Sequence, residues 1–194
     1  MDAFPPRRSD ELDDRSSLLL SALSSVIEHR TAIYVAGPIT NGPRYATWKQ
    51  TSGAVTDETA HRLHVVGPNV ADGERAVREL RKRAKGPVIS PFSLLVKGWT
   101  QGDYRHFWST VIESLVFKVV LIDGWAWSGG ASYEVLVGLS SLCLIENQEG
   151  EPITASKAWS AVSRSIEELK KLDLDVSFLE SVNKGLHLLS AGSS

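Results

Sequence analysis

Glu134 is the carboxylate in this sequence best placed to do chemistry. It ends the stretch 119–134, VVLIDGWAWSGGASYE. Val119, Val120, Leu121 and Ile122 form a short run rich in β-branched residues, as in a strand buried on both faces. Asp123-Gly124-Trp125 and Ser128-Gly129-Gly130 then read as a turn, and residues 131–142 as a helix with Glu134 in its first turn. Open α/β sheets bind ligands at such junctions, where the carboxyl end of a strand meets a helix N-terminus. An acid in a first helical turn is equally an ordinary complement to the helix dipole. Asp123 lies at the expected carboxyl edge of the sheet, where a proton donor can act, but an Asp before Gly is also a common turn former.

A second stretch has the same layout. Residues 31–36, TAIYVA, read as a strand and run directly into Gly37-Pro38-Ile39-Thr40-Asn41-Gly42-Pro43. Two glycines and two prolines force a turn, and glycine lets the backbone approach a ligand closely. The loop lacks the Gly-Lys-Ser/Thr ending of a phosphate-binding P-loop, and its glycine spacing is not that of a dinucleotide fingerprint. Tyr34 lies inside the strand, either as core or with its hydroxyl reaching the strand's end.

The remaining elements must position these two junctions. Residues 16–29 pattern as an amphipathic helix with Leu18, Leu19, Leu20, Leu23, Val26 and Ile27 on a broad face. Residues 45–63 and 71–85 read as helices, the second ending in a basic turn that suits a helix C-terminus. Val65-Val66 and residues 87–90 read as short strands, and Gly67-Pro68-Asn69 as a turn. Residues 103–117 read as a helix capped by Asp103, with Phe107, Val111, Ile112 and Leu115 facing the sheet. Residues 142–146 form a further strand, and 155–172 and 176–189 two closing helices. Strands alternating with helices imply an α/β fold, a flavodoxin-like parallel sheet of about five strands with helices on both faces and added N- and C-terminal helices. The implied organisation is a disordered tail over 1–15, an added amphipathic helix over 16–30, a ligand-binding domain over 31–150 and a helical extension over 151–194.

Composition narrows the function. The chain has 194 residues, 42% of them hydrophobic, and a net charge of −2. It therefore has material for a core and no basic surplus that would favour nucleic acid. Cys143 is the only cysteine, so no disulfide framework exists and a core role suits it. His61 and His64 have no companion ligands at metal spacing. No apolar run is long enough for a membrane span, and the first residues lack a secretory pattern. A cytoplasmic protein without a cofactor or metal is expected.

Taken together, IYVAGPITNG at 33–42 and VVLIDGWAWSGGASYE at 119–134 resemble the nucleoside 2-deoxyribosyltransferase-like superfamily, which includes transferases that swap bases on deoxyribose and nucleotide N-glycosidases. The resemblance covers about residues 31–150 and rests on the ordered pair of motifs. It implies Glu134 as nucleophile and Tyr34 as the group that orients it. It also implies Gly37, Pro38 and Ile39 around the sugar and base, with Ser128 and Gly130 at the sugar's 5′ end. Asp123 and Trp125 would line the rim. The chain departs from the family pattern before the central strand, where Val116-Phe117-Lys118 carries no acid, and around Trp108-Ser109, where an acid is also missing.

The chemistry implied is cleavage of an N-glycosidic bond through an oxocarbenium-like state, which a carboxylate stabilises or captures while a proton donor helps the base leave. The helix dipole would keep Glu134 ionised. Asp123 is the first candidate donor, ahead of His106 and Asp103. Trp125, Trp127 and Tyr104 are candidates to stack on a base, and Arg44 and Arg105 to meet a phosphate. The expected partner is a nucleoside or nucleotide substrate, with a homo-oligomer as the expected assembly. A non-catalytic nucleotide-binding or sensing module of the same fold is the alternative.

Overall fold

The computed structural model describes residues 14–52 and 57–192. Its centre is a parallel sheet, four-stranded among the described residues, in the order β2-β1-β3-β4. The strands are β1 (Ala32–Ala36), β2 (Val88–Ile89), β3 (Val116–Leu121) and β4 (Leu144–Asn147). From β1 the chain moves outward to β2, then returns across β1 to β3. The topological switch therefore falls between β1 and β3, whose carboxyl ends carry the two glycine-bearing loops.

The sheet has four strands, not the five expected. Val65-Val66 lies in a π-helical turn, Arg62–Val66, wound between the short helix α3 (Glu58–His61) and α4 (Gly67–Arg83). Val65 is fully buried there, so the apolar pair marks burial and not extension. The turn expected at Gly67-Pro68-Asn69 is instead the first turn of α4. Proline is tolerated there because the first helical N–H groups have no intrahelical partner.

Alternation along the strands divides the core into two layers. Tyr34, Ala36, Val119 and Leu121 pack on one face with α5 (Gln101–Leu115), α6 (Gly129–Ser140), α7 (Ala155–Lys171) and α8 (Ser177–Ala191). Phe107, Val111, Ile112 and Leu115 of α5 are all buried there, as their spacing predicts. Ile33, Val35, Val120 and Ile122 point to the opposite face and pack with Val77 and Leu80 of α4. α8 packs on α6, with Leu136 filling the space that a side chain at Gly185 would need.

The cap of α5 is Thr100, whose hydroxyl accepts from the Asp103 N–H while Asp103 accepts from the Thr100 N–H. Asp103 is thus the third helical residue of a capping box and not the cap itself. The amphipathic N-terminal helix is α1 (Asp14–Val26), so Asp14 and Arg15 are helical where a tail was expected. Residues 1–13 of that tail lie outside the described residues. The helix expected over 45–63 is α2 (Pro43–Ser52) on its near side, and its continuation at 53–56 also lies outside them. Among the described residues, no helix is long and apolar enough to cross a membrane.

Candidate active site

Tyr34 is the third residue of β1, and its ring is fully buried against Trp108 of α5, with ring centroids 5.5 Å apart. Burying a phenol requires a partner for its hydroxyl. That partner is Glu134 on α6: Tyr34 Oη donates to Glu134 Oε1 at 2.8 Å. One hundred residues of sequence separate the two side chains. The packing of α6 against β1 and β3 brings them together.

Ser128 caps α6, accepting from the Ala131 N–H at 3.4 Å. Counted from Gly129, Glu134 is the sixth helical residue and stands in the second turn, beyond the reach of the helix terminus. The expectation of an ionised Glu134 is corrected accordingly. The residue is partly buried, and its carboxyl group with it. Desolvation pushes that group up to about 8, and the Tyr34 hydrogen bond opposes the rise only in part. Tyr34 is raised well above its ordinary value, by burial first and then by the Glu134 charge. At neutral pH the pair therefore holds a tyrosine hydroxyl and a mostly protonated carboxyl.

Around the pair, Gly124 adopts φ +80°, which turns the chain into a 3₁₀ turn, Trp125–Trp127, leading to Ser128. Trp125 and Trp127 are half-buried against the same core layer. The Ser132 hydroxyl donates to the Trp125 carbonyl at 3.3 Å, tying the turn to α6. Sequence reasoning missed Phe178 of α8. Its ring lies 6.1 Å from Tyr133 and fills the space beside Gly129, and the Arg105 guanidinium sits 4.4 Å above it. The one apolar residue that could have signalled this cover reads simply as part of a terminal helix stripe. At Gly130, by contrast, an added side chain would meet only the Ser128 hydroxyl oxygen, at an ordinary 4.0 Å.

The other expected site residues sit apart from the pair. Gly37 is packed beneath Ile122 and Phe92, and a side chain there would collide with Ile122. Pro38 wedges between Gly42 and Gly124, so the loops after β1 and β3 interlock at the switch point. Ile39 packs in the α4 layer. Asp123 is exposed and lines a groove on the α4 face together with Val35, Pro38, Val120 and Ile122. The structure thus unites Tyr34 with Glu134, sets Trp125, Ser128 and Gly130 on the approach to α6, and directs Asp123 to the other face. His61, read as a surface residue, is half-buried between Tyr45 and Trp48 with Nε2 2.7 Å from the Thr40 carbonyl oxygen.

In comparisons with known proteins, the chain matches no family model, no curated protein and no solved structure.

Proposed function

We propose that the protein belongs to the nucleoside 2-deoxyribosyltransferase-like superfamily and cleaves or transfers the N-glycosidic bond of a nucleoside or nucleotide through a covalent glycosyl–Glu134 intermediate. The observation that carries this reading is the 2.8 Å hydrogen bond from Tyr34 to Glu134, made across strand and helix beside a glycine-bearing turn. Tyr34 fixes one carboxyl oxygen and leaves the other for a reacting carbon.

The raised Glu134 pKa shapes the mechanism. With Asp123 on the opposite face, the proton for the departing base comes from Glu134 itself. As the bond between C1′ and the base nitrogen breaks, its electron pair leaves with the base. Positive charge gathers on the sugar and favours ionisation of Glu134. Solvent carries the released proton to the base on the far side of the sugar, and the carboxylate captures C1′. Water or a second base then attacks C1′ and frees the carboxyl, which regains a proton from the attacking nucleophile.

The test is base release across a panel of nucleosides and nucleoside 5′-monophosphates, with wild-type protein and Glu134→Gln. Release that Glu134→Gln abolishes supports the proposal, and undiminished turnover in the variant ends it. A second reading, a nucleotide-binding or sensing module without catalysis, draws on the protonated state of Glu134, since a neutral carboxyl is not a nucleophile. It predicts calorimetric binding of a nucleotide with no base released.

A further inference from the structure

The α4 face of the sheet carries a groove of about 340 Å³, at the switch point but on the side away from Glu134. Val35, Val120 and Ile122 form its floor, and Ala76 and Leu80 of α4 its wall. At the end nearest the strand carboxyl termini, Arg44 and Arg75 share a single carboxylate. Asp72 lies 2.6 Å from the first and 3.0 Å from the second. This trio keeps one net positive charge and several unused guanidinium donors.

Arg44 is also held from behind. Asn69 is buried, and its Oδ1 accepts from Arg44 at 3.0 Å. Its Nδ2 donates to the Ile39 and Asn41 carbonyls at 3.1 and 2.9 Å. The loop after β1, α4 and the guanidinium are therefore locked as one unit, and a guanidinium fixed in advance loses less freedom on meeting an anion. Asp123 stands on the same groove with no hydrogen bond or ion pair among the described residues. Arg44 held by Asn69 and Asp72, Arg75 on the same carboxylate, an unpartnered Asp123 and an apolar floor thus line one crevice, with Glu79 and Arg83 further along α4, at the place where open parallel sheets take ligands.

We infer that this groove binds a sugar phosphate, free or as part of a nucleoside monophosphate, at a site separate from the Tyr34–Glu134 pair. The phosphate lies against Arg44 and Arg75 in charge-assisted hydrogen bonds. Asp123 accepts from the sugar hydroxyls, and a base, where present, covers Val120 and Ile122.

Calorimetric titration of the full chain with ribose 5-phosphate, adenosine 5′-monophosphate, ribose and inorganic phosphate tests the site. Ribose 5-phosphate should bind more tightly than ribose or phosphate alone. Arg75→Ala and Arg44→Ala should each weaken it about tenfold or more, the usual cost of a lost charge-assisted contact. Asp123→Asn should weaken ribose 5-phosphate but strengthen inorganic phosphate, because only the sugar uses the carboxylate as acceptor. Glu134→Gln should leave sugar-phosphate binding unchanged. Tighter binding of the monophosphate than of ribose 5-phosphate places a base on the apolar floor, and equal binding assigns the site to the sugar phosphate alone. No binding, or binding indifferent to both arginines, overturns the site, as does binding lost in Glu134→Gln. Base release lost in Glu134→Gln with a groove that fails these titrations refutes the groove alone. Sugar-phosphate binding with base release undiminished in Glu134→Gln refutes the glycosyl intermediate alone.

Discussion

On one face of the sheet, Tyr34 and Glu134 share a hydrogen bond beneath α5, α6 and α8. On the other, Arg44, Asp72, Arg75 and Asp123 stand along an open groove beside α4. On the covered face burial desolvates the Glu134 carboxyl, which holds its proton up to about pH 8. The open face lets its acids and bases pair as ions close to solvent. The same strands supply both faces, because β1 sends Tyr34 one way and Val35 the other. Cover, and not residue type, decides which carboxyl can act as a proton carrier and which as a charged contact.

The largest expected effect breaks the covered side. Glu134→Gln keeps the shape and removes the proton and the nucleophile, so base release should fall on the order of a thousandfold or more in a steady-state assay. In the wild-type protein, release should hold steady up to neutral pH and decline above about pH 8, as the free protein loses the Glu134 proton. A rate that climbs through pH 8 would point to a separate donor and a pre-ionised nucleophile.

Stability sharpens the same contrast. The folded-state value of Glu134, about 8, lies above the ordinary 4.5. Between the two the folded protein binds a proton that the unfolded chain has released. The contribution is therefore fully present below about pH 4.5 and is lost as the pH rises to about 8, amounting to a few kcal/mol on an order-of-magnitude basis. Denaturant midpoints measured from pH 5 to 8 should fall in the wild type and stay flatter in Glu134→Gln. A smaller effect lies where the faces meet. Gly124→Ala forces a side chain into φ +80° and to within 2.7 Å of Pro43 Cδ, and should cost roughly 1–3 kcal/mol in unfolding free energy. Tyr34→Phe should cost about 1 kcal/mol. It should also move the alkaline limb of the rate profile to higher pH, because the Tyr34 hydrogen bond is what holds the Glu134 value down.

The sequence was most informative where a pattern is local. The β1 run, the Val119–Leu121 part of β3, the inward stripe of α5 and the glycines at the two loops follow from residue order alone, whereas Val116 and Phe117, read as the end of the helix, open β3. The contact between Tyr34 and Glu134 came within reach only through the resemblance of two distant motifs. What stayed illegible depends on tertiary cover. Val65 and Val66 are apolar and β-branched, yet a helical connection buries Val65 without extending it. Asp123 follows β3, and strand parity cannot be carried past Ile122 because Gly124 turns the chain. Phe178 lies more than forty residues after Glu134, and only the packing of α8 on α6 brings it beside Gly129. The raised Glu134 value follows from burial of its carboxyl group, which no helix-position rule supplies.

The most direct measurement is rapid acid quench of the full chain during turnover of a nucleoside or nucleotide substrate, followed by intact-mass and peptide mass spectrometry. The account predicts an added glycosyl mass on the peptide containing Glu134, absent from Glu134→Gln. Base release in the wild type with no adduct at any quench time, or with the adduct on another residue, would contradict it.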